Sequence, residues 1–397
     1  MHLCVSHPGG RKVASSGLTA PAAPSASSTI SRRTLPALSC LQAVVLVSAV
    51  LLIGLAGLAR NGVGTATAAA PTQQLVVYTY DSFVNWGPAK EIQKRFQASH
   101  PGVELVWVAP GDSGTMFARL VGELQARRPT ADVFVGLADS DLPAAIAQQV
   151  FQPLDYRLLP NLKDVPARLL LDPGRRVVPL DHGFITLVYD SQVIPPDRAP
   201  KTFADLLQPQ WRKKIIAIDP AASSPGMAFL LWTIARFGDG PDGYLAYWKQ
   251  LAPNLLTIAG GWSEAYSMFE QGEAPMVVSY STDMAYSYIS NHSTRYRIAT
   301  LDGQGYEQVE LMGIVTGVDS SRQRLAYEFL NFMLSTEVQA LIPTTNWMFP
   351  ANSQAPLPPD FARYAVTPAQ PVRLPAETVA AHREQWLRAW SAQIRAY

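Results

Sequence analysis

The residues of this chain best suited to chemistry are aromatic rings set beside short polar side chains. They occur in YTYDSFVNWGP (78–88), GDSG (111–114), DPAASSPG (219–226), GGWSEAY (260–266), SYSTDMAY (279–286) and PTTNWMFP (343–350). Aromatic faces attract cations through the ring quadrupole. Asp81, Asp112 and Asp283 add negative charge nearby, so the set suits a flat cationic ligand. Ser223 and Ser224 stand just before an expected helix starting near Pro225. There their hydroxyls either cap the helix or join its free amides in holding an anion. Taken one at a time, Tyr80, Trp262, Tyr286 and Trp347 also fit half-buried core positions, where most aromatics go.

The elements that position these stretches follow an alternating strand and helix order. LVVYTY (75–80), VELVWVAP (103–110) and ADVFVGL (131–137) read as strands. Each precedes a segment with helical spacing: AKEIQKRFQASH, MFARLVGELQARR and DLPAAIAQQV. FITLVYD, KKIIAID, LLTIAG and APMVVSYS continue the pattern as strands, with YRIATL and QVELMGIVTG extended. PGMAFLLWTIARF, GYLAYWKQL and WSEAYSMFEQGE read as helices, as do RLAYEFLNFMLSTEVQALI (324–342) and a last one around AETVAAHREQWLRAW. This order predicts an α/β protein with parallel strands and ligands at their carboxyl ends. The polar and aromatic stretches fall mainly at those ends.

Composition narrows the function. The chain has 397 residues, 48% apolar and 16% charged, with net charge +1. Such a balance lacks the basic face that a nucleic-acid binder needs, and the apolar content excludes a disordered chain. There is no H-E-x-x-H, C-x-x-C, G-x-S-x-G or P-loop string. GDGPDG (238–243) follows a helix rather than a strand and reads as a loop. His100, His182, His292 and His382 have no metal-ligand spacing. The expectation is therefore no catalytic residue, no metal and no cofactor.

Residues 1–68 are of another kind. Arg32 and Arg33 precede an apolar run from Leu41 to Ala59, and Ala66-Thr67-Ala68 gives an A-x-A site. That is an export-signal pattern, and SRRTL resembles a twin-arginine motif. The run is also long enough to span a bilayer uncleaved; the small residues after it favour cleavage. All five basic residues of this segment and both cysteines lie before residue 69, with no Asp or Glu, so the net charge of the remainder is −4 and it has no cysteine. The folded part is expected in the periplasm.

VYTYDSFVNWGP, DPAASSPGMAFLLW, GWSEAYSMFEQGE, VVSYSTDMAY and IPTTNWMFP, in this order from about Leu75 to QWLRAW, resemble the thiamine-binding receptors of thiamine ABC transporters. The resemblance implies a two-lobed type 2 periplasmic binding-protein fold, each lobe a mostly parallel sheet flanked by helices. On that reading 75–181 with 310–397 form lobe 1, 182–309 form lobe 2, and the ligand sits between them. It implies a monomer that captures thiamine or its phosphates and delivers them to an inner-membrane permease. Carried over residue by residue, Asp112, Ser113, Ser223, Ser224, Trp262 and the stretch Tyr280, Ser281, Thr282, Asp283 match ligand-contact positions; Tyr80, Tyr286 and Trp347 match aromatic contacts. Asp283 replaces an expected small hydroxyl residue, and a fixed negative charge there would favour free thiamine over its diphosphate. GDSG replaces an expected Asp followed by Gly. A receptor for another small cation or a ferric ion, resting on Tyr286 and Tyr288, is the alternative. A thiamine-degrading or hydrolytic enzyme on this fold would need a nucleophile that the sequence does not offer.

Overall fold

Short β-branched runs begin the fold. The structure, a computed structural model, describes residues 73–240 and 242–394; the expected export segment lies outside them. β1 (Gln73–Tyr78), β2 (Val103–Val108) and β3 (Val133–Ala138) alternate with helices at Ala89–Ser99, Ser113–Gln125 and Leu142–Ala147. β1 pairs in parallel with both β2 and β3, because a crossover helix returns the chain to the same end of the sheet.

β4 (Val178–Asp190) is longer and buried along its whole length. After it, β5 (Ile215–Ile218), β6 (Leu255–Ala259) and β7 (Met276–Tyr280) form a second parallel set with β5 in the middle. Helices Ser224–Phe237, Tyr244–Leu251 and Trp262–Glu270 connect and cover it. β8 (Tyr296–Ala299), the long β9 (Gln304–Ile314), β10 (Phe349–Pro350) and β11 (Gln370–Val372) complete the strands. β4 and β9 run antiparallel to each other from Val178–Met312 to Ile185–Tyr306. They join the two parallel sets in the order β2-β1-β3-β9-β4-β7-β5-β6.

Two apolar cores result. One holds Phe83, Phe96, Phe134 and Phe329 with Leu180 of β4 and Val309 of β9. The other holds Phe203, Phe229, Trp232 and Trp248 with Ile185 of β4 and Tyr306 of β9. Both long strands therefore leave one lobe and enter the other within a few residues, at 180–185 and 306–309. A two-strand crossing of this kind permits hinge closure of the lobes.

Two elements differ from the sequence expectation. The expected helix 324–342 is broken: one helix, Ser320–Met333, ends, and Ser335 caps a new turn at Thr336–Gln339 by accepting from the Val338 amide at 3.3 Å. A serine free to bond its own backbone competes with helix continuation. The last helix, Ala376–Ile394, buries Val379, Trp386 and Trp390 in the second core, although 310–397 were expected with the first lobe. Trp390 meets Trp248 edge-on at 5.4 Å, and the Tyr244 hydroxyl donates to the Trp386 carbonyl at 3.3 Å.

Replacing Trp390 by Ala removes a buried indole, and large-to-small core changes of this type cost about 3–5 kcal/mol. Denaturant unfolding of Trp390→Ala is expected to show a loss near the lower end of that range. An unchanged midpoint would mean that the helix contributes nothing to the second core.

Candidate functional site

Between the two cores lies a cavity of about 300 Å³. Its wall includes Tyr80, Asp112, Ser224, Trp262, Tyr280, Asp283, Tyr286 and Trp347, which the sequence had singled out. Ser113, Ser223, Ser281 and Thr282 are buried beside it without reaching the wall. Each adjoins a residue that does, and consecutive residues at a turn or helix start face different ways. Ser223 occupies the backbone N-cap position of its helix, but its hydroxyl makes no capping bond. Ser224 Oγ instead accepts from Gln308 Nε2 at 3.3 Å.

The wall also holds residues not anticipated: Trp86, Tyr266, Glu270, Asn346 and Glu310. Rings from both sides form a continuous series. Trp86, 57% exposed at the rim, lies 6.1 Å from Trp262. Trp262 stacks on Tyr266 at 4.9 Å, Tyr266 meets Tyr286 at 5.8 Å, and Tyr286 meets Trp347 at 5.0 Å. Trp347 sits in the left-handed backbone region (φ 58°), a conformation uncommon for a bulky side chain and held here by its surroundings. Tyr80 packs over Gly136, whose φ is +89° and where a Cβ would come 2.3 Å from the ring. Glycine is the one residue that meets both conditions.

Asp112 ties the lobes together. Its carboxylate accepts from the Ser113 amide at 2.6 Å, as the cap of that helix, and from the Trp262 amide across the cleft at 3.0 Å. A second bridge runs from Ser263 Oγ to Asp81 Oδ1 at 3.0 Å. Beside them Gly114 packs so closely on the Ala222 carbonyl that a Cβ would lie 2.7 Å from its oxygen.

Charge at the site is one-sided. Asp112, Glu270, Asp283 and Glu310 line the cavity, and no lysine, arginine or histidine does among the described residues. Burial pushes the Asp283 carboxyl up to about 8; a bond with Ser279 works against the rise and the nearby Glu270 adds to it. Burial also raises Asp112, opposed by the Trp262 amide. At the floor, the Tyr80 hydroxyl donates to Glu310 Oε2 at 2.6 Å, and Asn346 Nδ2 donates to Asp181 Oδ2 at 2.7 Å. Asp283 is thus mostly protonated in the empty cavity at neutral pH, not the fixed charge expected from the sequence.

Tyr286 and Tyr288 do not converge on a common point. Tyr286 donates to Glu270 at 3.0 Å, whereas the Tyr288 ring lies 4.1 Å from Tyr364 and off the cavity wall. Among the described residues no cluster of three or more His, Cys, Asp or Glu is placed to hold a metal ion.

Comparisons with known proteins agree with this geometry. The sequence profile of the bacterial extracellular solute-binding proteins matches residues 91–369. A thiamine-binding periplasmic protein of Brucella abortus is 36% identical over 332 residues, covering 83% of this chain and 95% of the relative. One from Salmonella typhimurium is 34% identical over 321 residues, covering 81% and 93%. A solved periplasmic thiamin binding protein superimposes with a TM-score of 0.71 at 33% identity, covering 81% of this chain and 96% of the other.

The buried acids set a stability trend. Asp181 and Asp283 keep their protons to about 7 and about 8 in the folded protein, but ionise near the ordinary carboxylate range of roughly 4 once unfolded. The unfolded state therefore binds fewer protons between those values, and stability falls as pH rises from the ordinary carboxylate range up to the folded-state values, then levels off. The melting temperature of the unliganded protein is expected to drop between about pH 5 and 8, less steeply in Asp283→Asn. A rise over that window would contradict the assignment.

Proposed function

Because the chain belongs to the family of bacterial extracellular solute-binding proteins, we propose that it is the receptor of a thiamine importer, holding thiamine between its lobes and passing it to an ABC-transporter permease. Relatives at 34–36% identity that bear the name of thiamine-binding periplasmic proteins support the ligand. The observation that carries it is the wall itself: a series of aromatic faces with four carboxyls and, among the described residues, no basic side chain. Thiamine has a cationic thiazolium and a flat aminopyrimidine. The rings offer cation–π faces to the first and stacking to the second. Carboxyls supply opposite charge and accept from the amino group. The cavity volume, about 300 Å³, is at the small end for ligand pockets.

The proposed mechanism is closure without chemistry. Ligand docked on one lobe recruits groups of the other and shifts an open–closed equilibrium toward the closed form. The Asp112–Trp262 and Asp81–Ser263 bonds belong to that closed form. The lobes are read as 75–181 with 310–375, and 182–309 with the terminal helix. The receptor acts as a monomer in the periplasm, exported by the signal within residues 1–68.

Phosphorylated thiamine is the less favoured ligand. An added phosphate would meet carboxyls and no arginine or lysine, with only the Ser224 hydroxyl and nearby helix-start amides to receive it. Calorimetry is expected to show tighter binding of free thiamine than of its diphosphate; the reverse order would sink this preference. A thermal-shift comparison of thiamine, its phosphates, a polyamine and ferric salt tests the ligand class, and a larger shift with ferric ion or polyamine would replace thiamine. Trp347→Ala removes one aromatic face and should weaken thiamine binding by about 1–2 kcal/mol. Unchanged affinity would leave Trp347 a packing residue.

A further inference from the structure

The floor of the cavity is built where β4 and β9 cross between the lobes, and there Asp181 and Glu310 stand opposite each other in antiparallel register. Asp181 is fully buried and Glu310 is 4% exposed. On adjacent paired strands the two buried carboxyls are close enough for the charge of Asp181 to raise Glu310. Two ionised carboxylates are acceptors only and repel each other, so burying them side by side favours keeping one proton on the pair. Tyr80 and Asn346 occupy the other oxygens, at 2.6 Å on Glu310 Oε2 and 2.7 Å on Asp181 Oδ2. Asp181 Oδ1 is buried with no hydrogen-bond partner. Glu310 lines the cavity; Asp181 stands behind it.

Among the described residues, the titratable neighbours of Glu310 are acidic or neutral. Asp181 faces it from β4, Tyr80 from the end of β1, Tyr280 from β7 and Asp112 from the loop after β2. His182, next along β4, lies beside Arg168 and Glu307 instead. Asp139, after β3, is near Arg373 and Glu307. Among the described residues no basic side chain neutralises the pair, although like charges this close strongly oppose double ionisation.

We propose that Glu310, backed by Asp181, is the group that selects a cationic ligand, and that the cation enters in exchange for the proton the two carboxyls share. The inference rests on the reading of this cavity as the ligand site. In the empty protein the pair carries one proton and one negative charge. A cation beside Glu310 takes over the proton's electrostatic role, the proton leaves to solvent, and both carboxyls remain ionised against the ligand; total charge is conserved. Burial, which holds Asp181 up to about 7 and raises Glu310 further, places the exchange in the neutral range. Affinity for a cation then rises with pH, and acidification favours release. Glu310 touches the ligand in this scheme, and Asp181 is a positioning residue that acts through it.

The test is calorimetry of the full chain with thiamine as probe, between about pH 6 and 8.5, in paired buffers of different ionisation enthalpy. Wild type is expected to release about one proton per thiamine near neutrality, with affinity rising up to roughly tenfold per pH unit. Glu310→Gln should abolish that release, flatten the pH profile and weaken binding at pH 8 by roughly tenfold or more. Asp181→Asn should flatten the profile with a smaller loss of affinity at pH 8. Asp283→Asn should still release the proton. Thiamine binding without proton release, or release retained in Glu310→Gln and lost in Asp283→Asn, would overturn this inference alone. No binding of thiamine at all would overturn the ligand reading and the inference together. If Glu310→Gln fails to fold, the wild-type proton count and its persistence in Asp283→Asn still decide the matter.

Discussion

Carboxyl groups buried around one cavity without a basic partner are the constraint on which the rest of the structure depends. An isolated carboxylate in a low-dielectric interior costs several kcal/mol; Asp181, Asp283 and Glu310 are buried here and Asp112 is half-buried beside them. Each is accommodated differently. Asp112 takes two backbone amides, Glu310 and Asp181 share contacts with Tyr80 and Asn346, and Asp283 stays largely protonated. The incoming cation is the missing counter-charge. A site left electrostatically incomplete in this way binds by completion, which ties affinity to ligand charge more firmly than ring stacking alone would.

The same groups connect charge to lobe position. Asp112 belongs to the first lobe, yet one of its bonds goes to an amide of the second. Glu310 and Asp181 occupy the strands that both lobes share. These contacts lie at the cleft mouth and on the strands that cross between the lobes. Gly114 and Gly136 serve this arrangement by absence of side chain, the first letting backbones of the two lobes touch and the second making room for the Tyr80 ring.

Much of the fold was legible because its signals are local. Apolar runs and helical spacing report which face of a segment is buried, and strand–helix alternation then compels parallel pairing within each lobe. The aromatic and polar stretches at strand ends were legible for the same reason, and Tyr80, Asp112, Trp262, Tyr280, Asp283, Tyr286 and Trp347 do meet around one cavity. Glu310 was not. In QVELMGIV it is one acid in an apolar strand, and nothing local separates a buried functional carboxyl from a solvated edge residue. Asp181 in VPLDHGF is hidden in the same way. The terminal helix shows an apolar stripe in its sequence, but which core receives that stripe is a question of distance across the fold.

By itself, then, the sequence determined the α/β class, the family resemblance and the aromatic, acidic character of the ligand surface, because residue type and short-range spacing carry those properties. Only the tertiary structure decided that Asp181 and Glu310 face each other across residues 129 apart in the chain. It also decided that Asp283 is buried deeply enough to hold its proton. Protonation and pairing depend on what lies within a few ångströms in space and on how much water is excluded, and neither quantity is written in the order of residues along the chain.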